Sequence, residues 1–262
     1  MAVATAITGT AAGVPFLALP PAGDRAAAPV VVAWHLMDPP RTEAAFAAAL
    51  PLDGLEAWRI YLGLPLTGAR APEGGPERLG YEDAVLKMFG PAVFGAAEEF
   101  PAALAALQEE LAFTGDRRGV LGGSIGSLVA QQLAATTPVD AVVLVSPVAQ
   151  LRPVVLANGR RYGVTYQWGP ESDAVAASLD FVARAGEISA PTLLVVGAED
   201  DAEGILGPAA ALHAALPGSA LETVPGMAHA LAEEPGVAAA PQTKAALEVD
   251  RLAADWFRRH LS

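Results

Sequence analysis

Arg118-Gly-Val-Leu-Gly-Gly-Ser-Ile-Gly-Ser127 sets the reading of this chain: an apolar run ends in Gly-x-Ser-x-Gly and opens into a stretch rich in Ala, Leu and Gln. Arg117 to Leu121 is short, apolar towards its end and turn-bounded, as a buried strand is, while Ser127 to Thr136 has the composition of a helix. Between them Gly122, Ser124 and Gly126 read as a nucleophile elbow, in which the serine is exposed on a sharp strand-to-helix turn. Glycines on either side let strand and helix approach where a Cβ would clash. The competing reading is a tight strand-to-helix turn without chemistry, so the pentapeptide needs company.

Two downstream segments supply it. Ala190-Pro-Thr-Leu-Leu-Val-Val-Gly-Ala-Glu-Asp-Asp201 reads as a buried strand with acids at its carboxyl end, where open α/β sheets keep their sites. Leu221-Glu-Thr-Val-Pro-Gly-Met-Ala-His-Ala230 is another short strand, broken by Pro225 and Gly226, that delivers His229 on a loop 29 residues beyond Asp200. Serine, acid and histidine thus occur in the chain order of the α/β-hydrolases.

From about residue 29 to the C-terminus the chain resembles the α/β-hydrolase superfamily, serine carboxylesterases in particular. The resemblance implies an α/β fold with a mostly parallel twisted sheet flanked by helices and a small cap after the sixth strand. It also implies Ser124 as nucleophile, His229 as general base and acid, and Asp200 orienting the imidazole. Asp201 and Glu199 are the alternative acids; Asp200 fits the Gly-x-x-Asp pattern from Gly197, and Asp201 equally suits a helix N-cap. One oxyanion donor is expected at the Ile125 amide. The other should follow the strand Pro29–His35, where many family members carry His-Gly and this chain has His35-Leu36-Met37, so Met37 is assigned and Leu36 is the fallback. Trp34, Leu36, Trp168 and Met227 are candidates for a substrate pocket, with ordinary core packing as the competing role. His35 suits structural hydrogen bonding, and His213 and His260 fall on polar-flanked helical segments that suggest exposure.

The implied activity is hydrolysis of small or medium carboxylic esters through an acyl-enzyme. The alternatives are a serine peptidase or acyl-aminoacyl hydrolase, and a noncatalytic ligand-binding protein of the same fold. No cofactor and no metal is expected, for there is no cysteine, no His-x-x-x-His pair, and neither the phosphate-cradling lysine motif nor the dinucleotide fingerprint. The partner is a small-molecule ester. Nucleic acid is disfavoured, since 29 acidic residues against 16 basic give a net charge of −13.

The 262 residues, 53% hydrophobic and 17% charged, suit one large α/β domain, residues 1–262, with 148–188 as a small cap. No apolar run is long and uninterrupted enough for a membrane span. The first charged residue is Asp24, whereas a secretion signal begins with positive residues; the expectation is a cytoplasmic protein that starts with a hairpin of Ala2–Thr8 and Val14–Pro20. Further expectations are a helix at Thr42–Leu50, a strand at Glu56–Leu64 and a Pro/Gly loop at Pro65–Gly80. Glu98–Phe113 reads as a helix with Leu104, Leu107 and Leu111 on one face, and Val139–Ser146 as the sixth strand, ending without an acid. One helix is expected in the cap, at Ser172–Ala185, and a last helix, Lys244–His260, with Leu247, Leu252 and Trp256 towards the sheet.

Overall fold

Val30-Val-Val-Ala-Trp34 carries no charged side chain, and such a strand has to be covered on both faces. The computed structural model, which describes residues 6–262, shows how this is done. In chain order the elements are β1 (Ile7–Ala11), β2 (Val14–Leu19), β3 (Val30–Trp34), α1 (Glu43–Ala49), β4 (Trp58–Leu62), α2 (Gly75–Asp83), α3 (Gly90–Leu111), β5 (Arg118–Gly123), α4 (Ile125–Thr136), β6 (Ala141–Val145), α5 (Leu151–Tyr162), α6 (Pro170–Ser178), β7 (Thr192–Gly197), α7 (Gly207–Ala215), β8 (Ala220–Val224) and α8 (Lys244–Leu261). The strands form one sheet of order β1-β2-β4-β3-β5-β6-β7-β8. β1 and β2 are a hairpin, β2 pairs antiparallel with β4, and every pairing from β4 to β8 is parallel.

Side chains that alternate along a strand serve opposite faces. Val30, Val32 and Trp34 join a core with residues of α3, α4, α5 and α7, whereas Val31 and Ala33 join a second core beneath α1 and α8. Each fully buried Val or Leu contributes roughly 1.5–3 kcal/mol by leaving water, so the central strands lock the sheet between its two helical layers. The parallel strands β5, β6, β7 and β8 end at one edge in register, Gly123 beside Val145 and Gly197 beside Val224. The loops after them therefore meet.

Several expectations shift. Residues 2–5 of the anticipated first strand lie outside the described residues; the hairpin pairs Ile7–Ala11 with Val14–Ala18. The expected Pro65–Gly80 loop contains the start of α2, with Pro76 in its first turn where a missing N–H costs nothing, and a π-helical turn at Ala84–Phe89 joins α2 to α3. The segment 148–188 holds two helices, not one. Pro153 in the first turn of α5 is compatible with helix, and the second helix, α6, ends at Ser178. On α8 the inward face is Ala246, Val249, Ala253, Trp256, Phe257 and Leu261, which turns Leu247 outward to 53% exposure. No helix among the described residues is long and apolar enough to cross a membrane.

Candidate active site

Ser124 stands between the last residue of β5 and the first of α4 with φ 46° and ψ −115°. A side chain at positive φ outside the ordinary wells costs about 1–3 kcal/mol, which the surroundings must offset. Ser124 N donates to Val145 O at 2.9 Å, and the Ser127 amide donates to Ser124 O at 2.9 Å. The neighbouring glycines are required by close approach. A Cβ on Gly122 would lie 2.1 Å from Gly126 O, and one on Gly126 would lie 2.2 Å from Trp34 O.

His229 reaches the serine from the loop after β8. Its Nε2 lies 2.8 Å from Ser124 Oγ, and its Nδ1 lies 2.9 Å and 3.1 Å from the two carboxylate oxygens of Asp200. A proton held on Nδ1 by the carboxylate leaves Nε2 of the neutral ring free to accept from the serine hydroxyl. The loop is fixed by its backbone: Glu199 N donates to Met227 O at 2.9 Å, and Ser146 Oγ donates to His229 O at 3.2 Å. Burial of the ring works against its protonation; the hydrogen bond and charge of Asp200, helped by the charge of Asp38, outweigh burial and the like charge of Arg161, so the pKa is raised above 6.5.

The three acids after β7 have separate roles. Asp200 is 3% exposed at its side chain and faces the imidazole. Asp201 caps the next turn, accepting from Glu203 N at 3.1 Å and Gly204 N at 2.6 Å. Glu199 is exposed.

Among the described residues, no hydrogen-bond partner is found for the backbone amide of Ile125, the first residue of α4, or for those of Met37 and the fallback Leu36, after β3. The loop carrying Met37 is anchored at both ends. His35 Nδ1 donates to Leu36 O at 2.6 Å, with Thr67 Oγ1 3.3 Å from Nε2, and Pro39 O accepts from Leu231 N at 2.9 Å, two residues after His229. Burial lowers the His35 pKa to about 4 despite the opposing bond to Leu36, so this ring is neutral and structural. His213 bonds Ser219 Oγ through Nδ1 at 2.7 Å and His260 packs against Trp256; both are half-buried rather than exposed.

The anticipated pocket residues divide. Leu36 and Met227 are 0% and 1% exposed in the core under α1 and α8, with Leu36 filling the space that a side chain on Gly123 would need. They are packing residues, not pocket lining. Trp34 is equally buried, edge-on to Phe100 with ring centroids 5.6 Å apart. Trp168 is half-buried, with Tyr166 4.7 Å away and the Arg152 guanidinium 3.8 Å over its ring. A cavity of about 340 Å³ lies between α5 and α6 along Gln150, Arg152 and Asp173, and no residue of the Ser124 site lines it. Among the described residues, no group of three or more His, Cys, Asp or Glu is disposed to hold a metal ion.

One residue of the site had no signal in the sequence. Asp38, next to Met37, places Oδ2 3.9 Å from His229 Nε2, on the side of the ring that faces Ser124. No spacing rule links residue 38 to residue 229; contacts between their loops, such as that of the Pro39 carbonyl with Leu231 N, bring them together.

No family model and no curated protein matches the chain. Solved structures do. A protein designated TT1662 from Thermus thermophilus matches over 98% of both chains with 17% identity and a TM-score of 0.68. Est1E from Butyrivibrio proteoclasticus matches over 97% of this chain and 98% of its own with 15% identity and a TM-score of 0.65. A puromycin-hydrolyzing peptidase from Mycobacterium tuberculosis matches over 99% of this chain and 40% of its own, with 15% identity and a TM-score of 0.70. The sheet order, the hairpin at its edge and these likenesses give one architecture, and the fold of this chain is the α/β-hydrolase fold.

Proposed function

We propose that the chain is a serine hydrolase cleaving small or medium carboxylic esters through an acyl-enzyme. The observation that carries this reading is the unbroken Asp200–His229–Ser124 hydrogen-bond chain at a strained elbow. Ser124 Oγ attacks the ester carbonyl while His229 Nε2 takes its proton, and the new oxyanion is held by the Ile125 and Met37 amides. The imidazolium then returns the proton to the departing alcohol. Water repeats the cycle on the acyl-enzyme, giving its proton to His229 and releasing the acid from Ser124.

In this reading 148–188 is a small cap. Arg160, on the last turn of α5, lies 3.7 Å from Asp201 and 3.1 Å from Glu203, which supports docking of that helix end beside the acid loop. Met37 and Trp168, half-buried, are the residues proposed to face the acyl group.

Fluorophosphonate labelling with peptide mapping, beside turnover of p-nitrophenyl acetate, butyrate and octanoate, tests the proposal. Labelling is expected at Ser124, and Ser124→Ala should lower turnover by about 10⁶-fold. Activity that survives this substitution overturns the mechanism, and an inert Ser124 in folded protein points to the ligand-binding alternative. Matched ester and anilide substrates separate esterase from peptidase.

A further inference from the structure

From the position of its carboxylate on the oxyanion loop, we infer that Asp38 selects substrates with a cationic nitrogen next to the scissile carbonyl, esters of α-amino acids being the simplest. The inference rests on the serine-hydrolase reading and names the substrate class of that same site.

Asp38 Oδ2 is 3.9 Å from His229 Nε2, which is itself 2.8 Å from Ser124 Oγ, so the carboxylate borders the space where an acyl group must sit. Its side chain is 40% exposed, and among the described residues no Lys or Arg nitrogen comes within 4.0 Å of it. Such a charge is costly beside a reaction that builds negative charge on the substrate oxygen. It helps the imidazolium, but it opposes the oxyanion held by the adjacent Met37 amide.

A substrate cation offsets that opposition. With the carbonyl carbon about 3 Å from Ser124 Oγ, as attack requires, an α-nitrogen lies about 2.5 Å beyond that carbon. From there an ammonium can reach the Asp38 carboxylate without leaving the site. The loop is already held in place by the Pro39 carbonyl, so little ordering accompanies binding. The charge of Arg161 on α5, which also reaches His229, opposes a substrate cation there, so the preference depends on the carboxylate of Asp38.

Glycine benzyl ester and benzyl propionate differ only in an ammonium against a methyl group. Their kcat/KM values, read from released benzyl alcohol at pH 7, give a ratio in which the ionisation of His229 cancels. Asp38→Asn is expected to lower the glycine-to-propionate ratio by about tenfold, as loss of a partly exposed charge contact does. Asp38→Glu should retain most of the preference. Added salt should reduce it in the unaltered protein, a check that needs no variant.

A ratio equal in the unaltered protein and Asp38→Asn overturns the inference, including when both substrates slow together, because Asp38 then acts through His229 alone. Labelling of Ser124 by the fluorophosphonate without turnover of the glycine ester also overturns it and leaves the serine-hydrolase reading standing. Absence of labelling in folded protein removes both.

Discussion

In the proposed mechanism His229 must be neutral at Nε2 to take the Ser124 proton, so the groups that raise its pKa also set the acid limit of activity. Burial lowers that pKa, but the bond and charge of Asp200 and the charge of Asp38 prevail, and protonation persists above pH 6.5. Because kcat/KM reports the free enzyme, ester hydrolysis should reach half its plateau at a pH above 6.5 and fall further on acidification. Asp200→Asn removes the charge that raises the pKa, and its amide N–H can pair with Nδ1 and favour the wrong tautomer. It should move this limb to lower pH and cost about 10⁴-fold in kcat. A rate flat from pH 5 to 8 would contradict the role of His229. Asp38→Asn should shift the same limb downward, by less, since its oxygen is 3.9 Å from the ring against 2.9 Å for Asp200.

At the scale of elements, α8 shows what periodicity decides and what it leaves open. Leu247, Leu252 and Trp256 are the conspicuous apolar residues of the segment; Trp256 does lie on the buried stripe with Ala246, Val249, Ala253, Ala254, Phe257 and Leu261, and Leu252 packs against that core, but Leu247 is exposed. Large side chains alone therefore misplace the start of the face by one residue, because there Ala246 rather than Leu247 points inward. Phe257, 0% exposed, packs where a Cβ on Gly119 would lie 2.6 Å from its ring. Phe257→Ala should cost about 3–5 kcal/mol of stability and Leu247→Ala within about 0.5 kcal/mol, read from urea unfolding midpoints at unchanged slope. Comparable losses would contradict this orientation. The same distinction explains what the sequence made legible. Central strands and the elbow were readable because a buried parallel strand is nearly all apolar and a sharp turn needs glycine at fixed positions, as at Gly122 and Gly126. Ser124 and Asp200 were readable because each follows such a strand, and His229 because Pro225 and Gly226 break off the short edge strand β8 before it. Helix α5 was not, since Pro153 and Gly159 look like breakers until Pro153 is seen in a first turn. Asp38 belongs to a loop whose path depends on distant carbonyl contacts, and no local pattern encodes that.

Across the whole molecule, two buried groups on different elements give stability opposite responses to acid. His35, at the start of the loop that carries Met37, has a folded pKa of about 4 because it is buried, against 6.5 for the free side chain. Between those values the unfolded chain takes up a proton that the folded chain refuses, so stability falls as pH drops from 6.5 to 4, by on the order of 3 kcal/mol. Asp250, on α8, has a folded pKa raised to about 6, chiefly by burial, with the charge of Asp53 adding and the Leu52 amide and Arg59 opposing. Here the folded chain takes up the proton first, so stability rises as pH falls from 6 to about 4, by on the order of 2 kcal/mol. The two responses largely offset each other across that window. Asp250→Asn keeps an oxygen for the Leu52 amide, which donates at 2.7 Å, but removes the titration. All other acid-sensitive groups are common to both proteins and cancel in the difference. The variant should therefore lose about 2 kcal/mol more than the unaltered chain between pH 6.5 and 4, measured by urea unfolding with equal slopes. Parallel stability profiles would mean that Asp250 does not titrate in that window.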